Sequence, residues 1–283
     1  MEDLMHALLI IFSFGAIFLI IMTIEHKVLI KQGQAGYDLP ETAANIASSV
    51  LYKVMDGVYI VLFLGTLAHY VHSHGLQIEF EFHWYTYVLI FLVQDFLFYI
   101  WHFLAHKIRL AWVPHKIHHS SNHFNFGVAL RQSAFAPLSI FSIVIWVPWV
   151  FLGFDIKVLA VLYEFNLFYQ FFIHTKTIGQ LPRPIEFIMN TPSHHRVHHG
   201  CAPAQIDCNF AGVFIIWDRI FGTFVTERDA GTIIYGVKSR PVHTNNVWVM
   251  VTEELFDLIK CVWVNKDVRH LWKSPDWQPT ERR

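Results

Sequence analysis

Residues 85–106 read YTYVLIFLVQDFLFYIWHFLAH. An apolar run of this length crosses a bilayer as a helix, since about 20 residues at about 1.5 Å each cover a hydrocarbon core of about 30 Å. Its last turn carries His102 and His106 as H-x3-H. Two further boxes follow, both H-x2-H-H: His115, His118 and His119, then His195, His198 and His199. Side chains at i, i+3 and i+4 share a helix face, so each box is expected to aim two or three imidazoles at one point. Imidazole suits iron, zinc and copper. Eight box histidines exceed the tetrahedral set of one ion, which favours two metal ions.

Outward from the first box, Asp95, Tyr99, His102 and His106 fall on one helix face. An ionisable residue inside a membrane helix is costly and functional by default. Asp95 is therefore expected to accept the second N–H of a ligand histidine and fix its tautomer. A structural pairing with Arg or Tyr is the plainer alternative. Pro114 before the second box and Pro192 before the third are each suited to start a fresh helix. Asn166, Gln170 and His174, spaced by four, make a polar stripe that must face protein rather than lipid. His174 is a candidate ninth ligand; an interfacial histidine is the alternative. His123 and His194 are weaker candidates, and His6, His26, His69, His72, His74 and His83 read as structural or solvated.

Composition says where such a metal sits. Of the 283 residues, 54% are hydrophobic and only 15% charged, against about a quarter charged in soluble domains. Phe occurs 26 times, Trp and Tyr ten times each, and the mean hydropathy is +0.38. This is an integral membrane composition. A net charge of -1 without a basic run excludes nucleic acid as a partner. Cys201, Cys208 and Cys261 form no C-x2-C pair, which argues against a disulfide framework and for a reducing compartment. Cys201 and Cys208 flank the third box as conceivable thiolate ligands, although free Cys is mostly a small buried apolar residue.

Apolar stretches near 5–24, 50–70, 85–105, 134–153 and 157–175 predict four to five transmembrane helices. Glu2 and Asp3 precede the first, a poor fit to a cleavable signal peptide. Lys27 and Lys31 follow the first stretch, Glu79 and Glu81 lie in the loop after the second, and Lys107, Arg109, Lys116 and Arg131 follow the third. Basic loops lie in the cytoplasm, which puts every box on the cytoplasmic side. The last two stretches form a hairpin about Gly153 to Asp155. Val247 to Val264 has helical apolar spacing with Glu253, Glu254 and Asp257 interleaved, suiting either a membrane-surface helix or one packed on the cap. The expected fold is all-α: a single domain over 1–283, a membrane helical bundle with a cytoplasmic helical cap (106–133 and 176–283) holding a histidine-rich dimetal site. The membrane is a bacterial inner membrane or the endoplasmic reticulum.

At these boxes the chain resembles the fatty acid hydroxylase/sterol desaturase superfamily of membrane di-iron oxygenases. The matching text includes Asp95 with the H-x3-H, His115-Lys-Ile-His-His-Ser-Ser121, Ala129-Leu-Arg-Gln-Ser133 and Phe172-Ile-His174-Thr175. It continues through Asn190-Thr-Pro-Ser-His-His-Arg-Val-His-His-Gly200, Trp217-Asp-Arg-Ile-Phe-Gly-Thr-Phe224, Tyr235-Gly236 and Pro275-Asp-Trp277. The pattern looks closest to bacterial sterol-desaturase-like and alkylglycerol-monooxygenase-like members. It departs from the latter where an acidic residue follows the first box and Glu-Glu or Glu-Asp follows His-His-Ser-Ser; here stand Lys107 and Asn122-His123.

The resemblance implies two iron ions, with zinc as an alternative occupant. It also implies dioxygen-dependent hydroxylation or desaturation of a lipid or sterol-like substrate, fed by an external electron donor, a separate redox partner. The apolar bundle is expected to guide an alkyl chain to the metals. Asn209 and Asp218 are candidates to brace the third box by hydrogen bonds, with capping as the alternative. Zinc hydrolases need fewer ligands. The competing classes are a membrane metal transporter or sensor, an ether-lipid monooxygenase with an altered motif, and an inactive structural protein. A transporter needs polar ligands threaded across several helices, and the first and fourth stretches nearly lack them.

Overall fold

The computed structural model describes residues 2–76, 78, 83–136, 143–242 and 244–279, with side chains from residue 15 onward except at 64 and 144. Among the described residues the fold is all-helical, with one β-bridge, between Gly200 and Tyr235. Glu79 and Glu81, the predicted acidic loop, lie outside them.

Helix α1 spans Glu2–Lys31. Helix α2 runs Leu39–His74 and includes one π-helical segment, Ile60–Leu64. It begins well before the predicted 50–70 because Asp38 caps it, accepting the Glu41 N–H at 2.8 Å, and Pro40 stands in the first turn, where no N–H is needed. Helix α3, Trp84–Lys107, carries the first box, and α4, Arg109–His119, the second. Ile108 separates them with extended backbone (φ −119°, ψ 119°). Pro114 therefore lies inside α4 rather than at its start, a correction to the sequence reading. The chain had already re-entered the helix at Arg109, and Pro114 only withdraws one hydrogen bond from the second turn.

The predicted hairpin forms. Helices α5 (Ile143–Leu152) and α6 (Ile156–Ile173) flank Gly153, whose φ of 110° only glycine adopts freely, and Asp155 caps α6 by accepting the Lys157 N–H at 2.8 Å. At that end of the bundle Leu76 N–H donates to Phe151 O at 2.8 Å. The backbones approach so closely that a Cβ on Gly75 would sit 2.3 Å from Phe151 O. Ala68, Ile90, Trp149, Val150, Phe154 and Leu159 bury a core shared by α2, α3, α5 and α6. Among the described residues three helices are long and apolar enough to cross a membrane: Leu39–His74, Trp84–Lys107 and Ile156–Ile173. The fourth predicted span is described only as α5, whose ten residues cover about 15 Å; residues 137–142 lie outside the described set.

Because α3 and α6 run away from the Gly75 end, their last turns bring His106 and His174 to the opposite end. Among the further helices of the cap are α7, Pro192–His198, and α8, Val247–Asn265. Pro192 does open α7, as expected. Ala44 of α2, Ile117 of α4, Val242, and Met250 and Val251 of α8 pack together beneath them.

Candidate metal centre

Nine buried histidines converge in the cap and sort into two groups. His102, His106, His115, His119 and His198 form one; His118, His174, His195 and His199 form the other. Within each group the ligand nitrogens lie within 4.8 Å of one another. The first box sends both its rings, His102 and His106, to one group, but neither H-x2-H-H box aims at a single point. At about 100° per residue, i and i+4 diverge by about 40° while i+3 falls about 60° to the other side. The H-x2-H-H fan thus straddles two centres: His115 and His119 face one and His118 the other, whereas His195 and His199 face the second and His198 the first. The two boxes interlock.

The donor set tests which ion fits. The Nε2 atoms of His102 and His115 are 2.9 Å apart, and those of His115 and His119 are 3.0 Å apart. In the second group the pairs His118–His174, His174–His195 and His195–His199 stand at 3.1, 2.8 and 3.2 Å. Five and four nitrogens exceed or fill the four-coordinate set of zinc, and an all-imidazole donor set suits iron, so the residues present fit that metal.

Backbone carbonyls set the tautomers. His102 Nδ1–H donates to Phe210 O at 2.7 Å, His198 Nδ1–H to Cys208 O at 2.9 Å, and His174 Nδ1–H to Gln170 O at 2.6 Å. Each leaves its Nε2 lone pair facing the centre. The buried Nε2 atoms of His106 and His198 have no hydrogen-bond partner in the protein, which is the state of a donor reserved for a metal. Burial, and then the repulsion of neighbouring imidazoles, holds His115, His119, His195 and His199 well below the usual imidazole range. Burial pushes His174 down to about 4. The rings are neutral at pH 7, as ligands must be.

The loop 209–217 sits at the hub of this arrangement. Asp95 accepts hydrogen bonds from Asn166 Nδ2 (2.7 Å), Val213 N (2.8 Å), Phe214 N (3.0 Å) and Trp217 Nε1 (2.9 Å). None of the four comes from a histidine, so Asp95 acts through the loop that presents Phe210 O to His102. A Cβ on Gly212 would lie 2.8 Å from Asp95 Oδ1, hence the glycine. Asp218 accepts from Phe210 N and Ala211 N, both at 2.8 Å, and thereby serves the first box rather than the third. Asn209 does reach the third box, donating to His194 O at 3.1 Å and to Val225 O at 2.8 Å. The Asn166–Gln170 stripe is also hydrogen-bonded, Gln170 Nε2 donating to Asn166 Oδ1 at 2.6 Å.

Other motif residues prove to be clamps. Arg131 donates to Ile117 O (2.9 Å) and Ser120 Oγ (3.0 Å), closing the C-terminal end of α4. Arg196 grips Glu227 through two nitrogens and donates to Thr175 O at 3.0 Å, tying the third box to the residue after His174. His194 pairs with Glu186 (2.8 Å) and His123 with Glu41 (2.5 Å), and neither joins a group. Cys208 is buried and its thiol is pushed up to about 12, so its carbonyl rather than its sulfur serves the site. All three cysteines are free.

Sequence reasoning overlooked Asp207, whose Oδ1 faces His106 Nδ1 at 3.7 Å while Oδ2 takes Lys107 at 2.5 Å. It also overlooked Glu25, which accepts from Tyr37, Thr175 and the Phe126 N–H beside the second group.

The model of the fatty acid hydroxylase family matches residues 87–223, the segment that holds all nine histidines. The chain belongs to the fatty acid hydroxylase family. Among its relatives is the alkylglycerol monooxygenase of Danio rerio, 40% identical over 214 residues, 74% of this chain and 46% of that protein. The Homo sapiens alkylglycerol monooxygenase is 35% identical over 264 residues, 90% and 56%. The ornithine lipid hydroxylase OlsE of Rhizobium tropici is 27% identical over 202 residues, 65% and 57%. The chain spans about half the length of the alkylglycerol monooxygenases it matches. No solved structure matches it significantly. Membership in this family and three membrane-length helices make it an integral membrane protein.

Proposed function

We propose that the chain is a two-iron, dioxygen-dependent lipid monooxygenase whose substrate is a glycerol ether lipid. The interlocked groups of five and four imidazoles carry the reading. Bound there, iron supplies the reduction of dioxygen, one oxygen atom entering a substrate C–H bond and the other leaving as water. Two electrons and two protons balance that reaction and come from an external donor. The printed names of the relatives point to the ether substrate, and insertion beside an ether oxygen would yield a hemiacetal that splits into an aldehyde and a glycerol.

The protein's own part is positioning. Carbonyls of Phe210, Cys208 and Gln170 hold three rings with Nε2 facing the centre. His102, His106, His115, His119 and His198 would hold one ion and His118, His174, His195 and His199 the other; the smaller set would leave more room for a further ligand, so dioxygen would be expected on that side. Phe124, fully buried, stacks on His174 and lies 5.1 Å from His199, walling that side against water. Where the ether-lipid pattern would carry acidic residues, Lys107 pairs with Asp207 and His123 with Glu41, so carboxylates still stand at both places. The basic residues Lys27, Lys31, Lys107 and Arg109 support a cytoplasmic side for this end of the bundle.

Membranes holding the protein, supplied with reductant, alkylglycerol and 18O2, should release fatty aldehyde carrying one labelled oxygen. His118→Ala and His198→Ala should release none. A labelled alcohol on an acyl or sterol chain instead would keep the oxygenase and overturn the ether substrate.

A further inference from the structure

Glu25 of α1 is buried to 2% exposure, and a buried carboxylate is a costly way to fill space. Three donors meet it. Phe126 N–H, one of the groups that the short helix 126–129 leaves free at its start, reaches Oε2 at 2.9 Å. The Tyr37 hydroxyl donates to the same oxygen and the Thr175 hydroxyl to Oε1. Two of these donors stand beside the second histidine group. Thr175 follows His174 directly, and Phe126 lies two residues past Phe124, the ring that stacks on His174 and meets His199. Thr175 is itself fully buried, its hydroxyl oxygen accepting Thr177 N–H at 3.0 Å while its carbonyl takes Arg196.

The second group needs support of this kind. His174 is tied through Nδ1 to Gln170 O, but His118 and His195 are buried with Nδ1 unpartnered. We infer that Glu25 is a positioning residue of this group. Its carboxylate clamps the segment that carries His174 to the segment that carries Phe124, so that ligand ring and aromatic wall keep one spacing. A carboxylate suits the task because two oxygens offer about four acceptor sites. An apolar side chain there would leave three buried donors unsatisfied. The clamp comes from α1, outside the residues 87–223 that the family model matches, and it fastens α1 and Tyr37 of the following loop to the metal centre.

The inference rests on this group holding iron, and the test keeps the two apart. In the metal-free full chain in lipid nanodiscs, Glu25→Ala should speed amide hydrogen exchange several-fold across residues 124–130 and 174–178 and leave 209–217 as in the wild type. After loading with 57Fe, one of the two Mössbauer signals should shift, and that iron should bind about 10- to 100-fold more weakly. Glu25→Gln should restore both readouts, because its amide oxygen accepts from Phe126 and Tyr37 and its NH2 donates to Thr175 Oγ1. Met22→Ala loosens the packing on Phe126 and Phe171 without removing a donor; it should lower the melting temperature and leave both signals in place. Should Glu25→Ala fail to fold, Thr175→Val, which deletes a single donor, should still move that one signal. Unchanged exchange, two unmoved signals, or a Met22→Ala shift equal to that of Glu25→Ala overturns the inference. A wild-type chain that takes up no iron overturns the oxygenase reading instead, and exchange alone then decides the role of Glu25.

Discussion

The two histidine groups are built from the same three boxes, yet they are not equivalent. The first has five imidazoles, drawn in pairs from α3 and α4 and singly from α7; the second has four, with a pair from α7 and single rings from α4 and the end of α6. The first is held by loop 209–217, from which Asp95 and Asp218 together accept five hydrogen bonds. In the second, the Nδ1 atoms of His118 and His195 are buried with no hydrogen-bond partner. One group has more ligands and is braced, the other is shorter of ligands and freer. The proposed oxygenase would use that division, the larger group holding its ion firmly and the smaller leaving room for a further ligand.

The largest contrast should come from deleting one ligand on each side. His115→Ala leaves four imidazoles, the number that the second group uses natively, and should retain most iron. His199→Ala leaves three, and iron by metal analysis should fall to about one per chain with oxygenation lost by more than about 10³-fold. Equal losses from both variants would erase the distinction.

Acid should act next. In the metal-free protein, imidazoles whose folded range is depressed favour the neutral fold, so their contribution is complete above the unfolded value of about 6.5. It is lost as pH falls from there toward about 4, the value for His174. Thermal unfolding of the metal-free protein should therefore move to lower temperature between pH 6.5 and 4, and iron loading should delay the onset. A flat profile contradicts the burial of these rings.

Removing the brace should bias one centre only. Asp218→Ala frees Phe210 and Ala211 N–H and should weaken iron at the first group by about 10- to 100-fold, leaving the second group's affinity intact. The smallest effect belongs to Lys107→Glu. That ion pair is about a third exposed on both sides, so unfolding free energy should change by less than about 1 kcal/mol.

The boxes were legible because helix spacing is local, and the Asn166–Gln170–His174 stripe pointed to the ninth histidine for the same reason. The division into two groups was not legible, since it depends on how α3, α4 and α7 face one another. Asp95 illustrates the limit. Its helical face matched His102, but its partners lie some 120 residues away in loop 209–217. Asp207 offered no spacing signal at all, standing 100 residues from Lys107. Pro114 misled because proline favours a first turn, whereas the break that starts this helix, at Ile108, leaves no spacing signal and puts Pro114 in the interior at the loss of one hydrogen bond.

Iron content and X-ray absorption of the anaerobically reconstituted full chain test the central claim most directly. The account predicts two irons per chain, each surrounded by nitrogen at about 2.1 Å with a second iron scatterer nearby. One iron per chain, a sulfur neighbour, or protein that stays iron-free would contradict it.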